Sequence, residues 1–290
     1  MIKIGAVIIL FNPDIHRLND NIEAVIGQVD KVVLVDNGSA NIETVKEKYA
    51  DNSRISLITN KENVGIAKAL NQGVAFCQED VKWVLTLDQD SVSSANLIDE
   101  FSKFLEEPRV GILTPQIHDR HEKEQVQLRN GFKEINRCIT SGALINVETW
   151  EEVGKFDETM FIDVVDFEYS YRIRQSGYRI LQVDSTYLLH ECGNIKEVVF
   201  FRKRIKIFNH SPKRRYYFSR NWIYFFRKYK GEIPRMYILK QYVVLCGKIL
   251  FFEHNRAKKM QAIMRGIKDG LHMNIPCRQH NESGGRRTSE

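Results

Sequence analysis

Short apolar runs alternate with stretches of helical periodicity from the first residues onward. Ile4 to Phe11 reads Ile-Gly-Ala-Val-Ile-Ile-Leu-Phe, as a strand buried on both faces of a parallel sheet does. Asn12-Pro13-Asp14 breaks it, and a helix with Leu18, Ile22, Val25 and Ile26 on one face follows. Val32 to Val35 predicts a second strand, ending at Asp36-Asn37-Gly38-Ser39. A helix over Ile42 to Tyr49, a third strand over Ile55 to Ile58 and a loop over Asn60 to Gly65 come next. Ile66 to Cys77 predicts a helix with Ile66, Leu70 and Val74 beside the small Ala67, Ala69 and Ala75, and Trp83 to Leu87 a fourth strand. The repeated strand, loop, helix order argues an α/β fold with a mostly parallel sheet and right-handed crossovers.

The second part is less regular. Ala95 to Leu105 predicts a helix, Val110 to Pro115 a strand, Asp119 to Glu124 a charged exposed loop, and Val147 to Val153 a helix ahead of a turn at Gly154 to Glu158. Helical spacing resumes from Phe167. Met236 to Phe252 is apolar but broken by Lys240 and Lys248, so it reads as an amphipathic helix rather than a span. Asn274 to Glu290 is polar and Gly/Ser-rich, the composition of a disordered end.

The polar residues that close the strands carry the candidate chemistry. Ligands of open α/β sheets bind beyond the carboxyl ends of the strands. Asn12, Asp36, Asp88 and Asp90 all fall at such ends. In extended chain, residues i and i+2 share a side, so Asp88 and Asp90 present two carboxylates together. Oxygen ligands of this kind suit Mg²⁺ or Mn²⁺ with a phosphate as the remaining partner. Asp36-Asn37-Gly38 also reads as a plain turn. A second acidic cluster holds Asp163, Asp166 and Glu168. A carboxylate there could take a hydroxyl proton as general base, but on the residues alone Asp166, at the start of a helix, reads first as an ordinary N-cap. His190 closes an apolar run, as a core histidine or a ligand. Ser141-Gly142 reads as a bend.

Charge divides the chain. The net charge of +6 over 290 residues hides nineteen Lys and Arg against three Asp and Glu between Lys196 and Arg265. An acidic body therefore carries a basic, aromatic region, whose natural partners are nucleic acid or an anionic membrane surface. The length allows one large domain or one domain with an appendage. Five scattered cysteines, odd in number and without a C-x-x-C pair, point to a reducing compartment. The start runs directly into a strand, with no signal-peptide pattern.

Three stretches taken in order carry a resemblance: Val35-Asp36-Asn37-Gly38-Ser39, then Asn63-Val64-Gly65-Ile66-Ala67-Lys68-Ala69-Leu70-Asn71-Gln72-Gly73, then Leu87-Asp88-Gln89-Asp90-Ser91. Together they resemble glycosyltransferase family 2, and within it the bacterial rhamnosyltransferase branch. The resemblance implies a GT-A domain over 1–220, with a nucleotide-sugar half (1–92) and an acceptor half (93–220). A basic amphipathic helical extension (221–273) and a tail (274–290) would follow. It further implies a nucleotide-diphosphate sugar donor and a divalent metal. By position, Asp36 would bond the nucleotide base, Phe11 and Asn12 would line the nucleoside pocket, and Asn63, Gly65 and Asn71 would shape the donor loop. Asp88 would contact ribose or metal, Asp90 would ligate the metal, and His190 would touch metal or diphosphate. Ser141 and Gly142 would border the sugar and acceptor pocket. Arg215 and Arg220 would reach diphosphate or acceptor. Alignment on Arg172 and Gly177 puts the general base on Asp166. Val165 stands where an acidic residue often precedes that base, so Asp163 remains an alternative.

The implied activity is inverting transfer of L-rhamnose from dTDP-rhamnose to a lipid-diphosphate-linked saccharide in bacterial surface polysaccharide synthesis (O-antigen or capsule). Galactose, glucose or N-acetylglucosamine from a UDP donor is the alternative. The implied location is the cytoplasmic face of the inner membrane, with peripheral contact through the basic end and no nucleic acid partner. A nucleic-acid-binding protein would leave Asp36, Asp88 and Asp90 unexplained. A nucleotidyltransferase would want a Gly-rich phosphate loop, and Phe11-Asn12-Pro13 is not one. Nothing in the pattern selects an oligomeric state.

Overall fold

The computed structural model describes residues 2–120, 126–191, 196–200 and 203–275. The apolar runs become the parallel half of a mixed sheet: β1 (Ile4–Leu10), β2 (Lys31–Asp36), β3 (Ile55–Thr59) and β4 (Trp83–Asp88). Between them lie α1 (Ile15–Ile26), α2 (Ile42–Tyr49) and α3 (Ile66–Cys77). The second half contains β5 (Val92–Ser93), α4 (Leu97–Ser102), β6 (Val110–Asp119), β7 (Phe132–Glu134), β8 (Ala143–Asn146), α5 (Val147–Glu152), α6 (Val165–Gln175) and β9 (Arg179–His190). The sheet order is β3-β2-β1-β4-β8-β6-β9-β5, with β7 also on β9. β8 runs antiparallel to both β4 and β6, so it joins the parallel half of the sheet to the second half.

Period-two alternation splits each strand between two cores. Val7 and Ile9 of β1 pack with α3, α5 and α6 on one face. Ala6, Ile8 and Leu10 pack with α1 and α4 on the other. Each such aliphatic side chain taken from water contributes about 1.5–3 kcal/mol. Asp14 caps α1 by accepting from the His16 and Arg17 amides at 2.9 and 3.2 Å.

The basic region is more structured than its charge pattern indicates. β10 (Lys196–Phe200) and β11 (Lys203–Ile207) form a separate antiparallel hairpin. Three helices follow: α7 (Pro212–Lys228), α8 (Arg235–Phe252) and α9 (Arg256–His272). α7 runs unbroken across position 220, where the sequence places a domain boundary. Its Trp222, Tyr224 and Phe225 belong to the same core as Tyr169 of α6. α8 is apolar on its outward side as well as its inward one, and so departs from the expected amphipathic helix. None of the described helices is long and apolar enough to cross a membrane. Of the predicted loop at 119–124, Asp119 ends β6 and Arg120 is a turn; 121–124 lie outside the described residues, as does the tail from 276.

Candidate active site

Three hollows meet at the carboxyl ends of β1, β2 and β4. The first, about 420 Å³, is lined by Phe11, Asn12, Asp36 and Ser39 among others. Both carboxylate oxygens of the buried Asp36 are used locally, accepting from the Gly38 amide at 3.1 Å and the Ser39 amide at 3.2 Å. The turn reading is therefore real, and the same turn walls the hollow. Asn12 closes it from the other side: its amide donates to Ser39 Oγ and its Oδ1 accepts from the Ala40 amide, both at 2.8 Å. The Phe11 amide donates to Gln89 Oε1 at 2.7 Å, which joins β1 to the Asp88–Asp90 turn.

The central hollow, about 590 Å³, shares Phe11 with the first and contains Asn63, Gly65, Asp88, Asp90, His190 and Arg214. Asn63 Oδ1 accepts from the Gly65 amide at 3.0 Å, and Asn37 Oδ1 accepts from the Val64 amide at 2.8 Å. Gly65 has φ +88°, and a Cβ there would meet the Phe161 carbonyl oxygen at 2.7 Å. Only glycine takes that backbone at little cost. Asp88 is held from both ends. Its amide donates to Ser141 Oγ at 3.0 Å, and its carbonyl accepts from the buried Asn21 Nδ2 at 2.6 Å. Ser141 Oγ lies 2.8 Å from Ser91 Oγ, which lies 3.1 Å from His190 Nδ1. That nitrogen is 3.9 Å from Asp88 Oδ2. Burial raises the Asp88 carboxyl above its ordinary value; His190 opposes the shift and Asp90 adds to it.

The third hollow, about 410 Å³, shares Asp88, His190 and Arg214 with the second and adds Ser141, Asp163 and Asp166. Asp166 is the second residue of α6. The N-cap is Val164, so the cap reading of Asp166 does not hold. Asp166 Oδ1 accepts from the Phe167 amide at 2.9 Å. Burial pushes its carboxyl up to about 6, with the Asp163 and Asp88 charges adding. Asp163 Oδ1 accepts from Arg214 Nε at 3.1 Å, while its Oδ2 is buried without a hydrogen-bond partner among the described residues. Asp163 and Val164 both sit in the left-handed region, with φ +64° and +70°. Such backbone costs about 1–3 kcal/mol per residue and persists only when its surroundings enforce it. The fully buried Asn221 of α7 does so, donating from Nδ2 to the Ile162 and Asp163 carbonyls at 2.8 and 3.0 Å.

Several residues expected at the site lie elsewhere. Asn71 lines none of these hollows. Its Nδ2 donates to the Phe156 carbonyl and Glu158 Oε1, both at 2.9 Å, and its Oδ1 accepts from the Phe156 amide, also at 2.9 Å. It ties α3 to the turn after α5. Gly142 (φ +84°) forms the bend before β8, its amide donating to the Thr86 carbonyl at 2.8 Å. Arg215 is buried in an ion pair with Glu253, which also holds Lys259 at 2.8 Å. Arg220 donates to the Thr159 carbonyl at 2.6 Å and to Asn221 Oδ1 at 3.0 Å. Glu168, the third acid of its cluster, is fully buried. Burial alone would raise its carboxyl, but Arg172, Lys228 and Tyr229 outweigh it and hold it below the ordinary value.

Arg214, His210, Asn37 and Asn221 were not legible as site residues. Arg214 and Arg215 are neighbours in one basic run, and only the packing of α7 decides which faces the hollow. His210 lines the central hollow; burial first, then Arg214 and Arg215, pushes it down to about 3, so it is neutral at physiological pH.

Asp88, Asp90 and His190 open onto one hollow as two carboxylates and an imidazole, a donor set suited to a divalent ion that takes its other ligands from a diphosphate. Among the described residues no group of three His, Cys, Asp or Glu side chains, these three included, is arranged to hold a metal ion by itself.

A parallel α/β half joined to a second half by β8, with chained hollows at the strand ends, is the GT-A architecture of a glycosyltransferase. The model of glycosyl transferase family 2 matches residues 6–159, and the chain belongs to that family. The chain is 30% identical over 289 residues to the dTDP-rhamnosyl transferase RfbF of Shigella flexneri, covering 93% of this chain and 95% of that one. Among solved structures, TarS 1–349 of S. aureus in complex with UDP-GlcNAc matches with TM-score 0.60 and 14% identity, over 92% of this chain and 81% of that 1–349 chain. The mannosyltransferase PcManGT of Pyrobaculum calidifontis in complex with GDP-Man and Mn²⁺ matches with TM-score 0.58 and 15% identity, over 94% and 76%. GalNAc-T7 with UDP, GalNAc and Mn²⁺ matches with TM-score 0.59 and 16% identity over 81% of this chain, which spans about half (52%) of that one.

Proposed function

We propose that this glycosyltransferase moves L-rhamnose from dTDP-rhamnose, with inversion, to a saccharide on a lipid diphosphate carrier in surface polysaccharide synthesis, working at the cytoplasmic face of the membrane. The 30% identity to a dTDP-rhamnosyl transferase over nearly both full chains supports the sugar. The chained hollows support the chemistry. The nucleoside lies against Phe11, Asn12 and Asp36, the diphosphate lies in the central hollow, and the acceptor enters the third. Asp88, His190 and Arg214 belong to both of the latter, so bond cleavage and attack meet there.

Asp166 takes the proton of the acceptor hydroxyl while that oxygen attacks the anomeric carbon on the side away from the diphosphate. A carboxyl near 6 is a stronger base than an ordinary aspartate and is still mostly ionised at neutral pH. Asp163 remains the alternative base: burial raises its carboxyl too, while Arg214, which bonds its Oδ1, opposes that shift. Asp88, Asp90 and His190 would hold Mg²⁺ or Mn²⁺, which supplies positive charge for the departing diphosphate. Arg214 adds a fixed positive charge to the same hollow.

The test is donor binding and slow donor hydrolysis with dTDP-rhamnose and a panel of UDP-sugars, with Mg²⁺ or Mn²⁺ present or chelated. Metal-dependent turnover of dTDP-rhamnose that disappears in Asp90→Ala is the expected result. Preference for a UDP-sugar would move the donor assignment, and no binding of any donor would sink the reading.

A further inference from the structure

The outward side of α8 is an apolar feature that the donor and acceptor hollows do not use. Met236, Leu239, Val243 and Leu250 recur at helical spacing, with Phe251 beside the last. Their exposures include 70% for Met236, 63% for Val243 and 69% for Phe251, whereas Ile238, Leu245 and Ile249 on the opposite side are buried. The stripe runs about 21 Å along the helix. An exposed apolar surface of this kind marks a contact.

Charge identifies the partner. Over Arg235 to Ile275 the chain carries eight Lys and Arg and only two acids. Both acids are engaged: Glu253 is buried between Arg215 and Lys259, and Asp269 accepts from the Tyr216 hydroxyl at 2.8 Å. Arg235 and Lys240 are exposed beside the stripe itself. A second copy of the chain would bring the same positive charge to the contact and be repelled. An anionic lipid surface matches both the apolar stripe and its basic flanks.

The end of the stripe lies next to the site. Glu253 follows Phe252 directly, and its partner Arg215 is the neighbour of Arg214, which walls both the central and the acceptor hollow. We propose that the outward stripe of α8 lies shallowly in the headgroup boundary of an anionic bilayer, beside the wall of the acceptor hollow. This deepens the lipid-linked acceptor reading and rests on it for the purpose of the contact. The helix lies along the surface and does not span, and a lipid-borne saccharide then reaches Asp166 from that side.

Flotation of the full chain with vesicles tests it. Vesicles of phosphatidylcholine alone and of phosphatidylcholine with phosphatidylglycerol are compared, using wild type and a double variant, Val243→Ser with Phe251→Ser. Both side chains are exposed, so the fold tolerates the change. Wild type is expected on the anionic vesicles, with partition weakened about tenfold or more in the variant and with donor hydrolysis unchanged. Failure of wild type to float, equal flotation of the variant, or equal binding to neutral vesicles overturns the proposal. So does a lipid-free dimer that the variant dissociates, which would make the stripe a self-contact. Flotation through α8 by a protein that hydrolyses no donor upholds the surface and fails the donor reading, so the two separate.

Discussion

At the scale of single residues, the site turns on two aspartates that share a hollow but differ in partners. Asp163 Oδ1 accepts from Arg214, whereas Asp166 Oδ1 accepts from the Phe167 amide of its own helix turn. Burial leaves Asp166 near 6, which has two consequences. Transfer should rise through pH 6 to a plateau, because the base must be ionised. Asp166→Asn should lower kcat about 10²–10⁴-fold and remove that limb from the pH profile. Stability should move the other way. A carboxyl with its folded value raised is favourable while protonated, and loses stability as pH rises through that value. The variant should therefore be no less stable than wild type at pH 8, and more stable by up to about 3 kcal/mol. Thermal melts at pH 5 and pH 8 beside the rate profile decide this. A lost rate with an unchanged pH limb would transfer the base role to Asp163.

Among the elements, legibility followed burial and local chemistry. β1, β2 and α3 could be read to within a residue or two because strands buried on both faces are unbroken apolar runs and α3 keeps one apolar stripe. Asp88 and Asp90 were legible as neighbours at one strand end and do line one hollow, although the strand stops at Asp88 and Asp90 stands in the turn after it rather than in extended chain. The hairpin of β10 and β11 was not read, since its alternation is brief, Ile205 and the buried Ile207 set between the exposed Arg204 and Lys206, inside a run dominated by charge. Arg214 and Asn221 were invisible for a different reason: their roles depend on which side of α7 meets the loop at 162–164, and nothing local encodes that. Asn71 shows the reverse error. It stands inside the most motif-like stretch, yet the helix turns it into the core, where it braces the turn after α5. Asn71→Ala should therefore cost about 1–3 kcal/mol of stability through orphaned polar groups, with donor affinity unchanged. Chemical denaturation and donor titration on the same variant separate the two. A weakened donor at unchanged stability would return Asn71 to the donor loop.

Across the whole molecule, the basic end is packed into the framework of the proposed site as well as forming a surface. α9 lies against α7 through two glycines: a Cβ on Gly270 would meet the Arg220 carbonyl oxygen at 2.5 Å and Ile223 Cβ at 2.9 Å, and Gly266 is as close to the Tyr216 carbonyl. α7 in turn carries Arg220 and Asn221, which bond the carbonyls of Thr159, Ile162 and Asp163, and Arg214, which holds Asp163 itself. The path from α9 to the base loop is thus two layers of direct contact. Gly270→Val should push α9 off α7, costing about 1–3 kcal/mol by overpacking. It should also lower kcat, because the left-handed pair Asp163 and Val164 stays in place only while Asn221 enforces it. Nucleoside binding should survive better, since Phe11, Asn12 and Asp36 stand on β1, β2 and the turns that follow them, away from α7. Paired measurement of melting temperature, donor affinity and kcat reads all three. A lower melting temperature with kcat intact at a permissive temperature would make α9 a buttress alone, whereas loss of kcat ahead of donor affinity would show that the C-terminal helices set the geometry of the base.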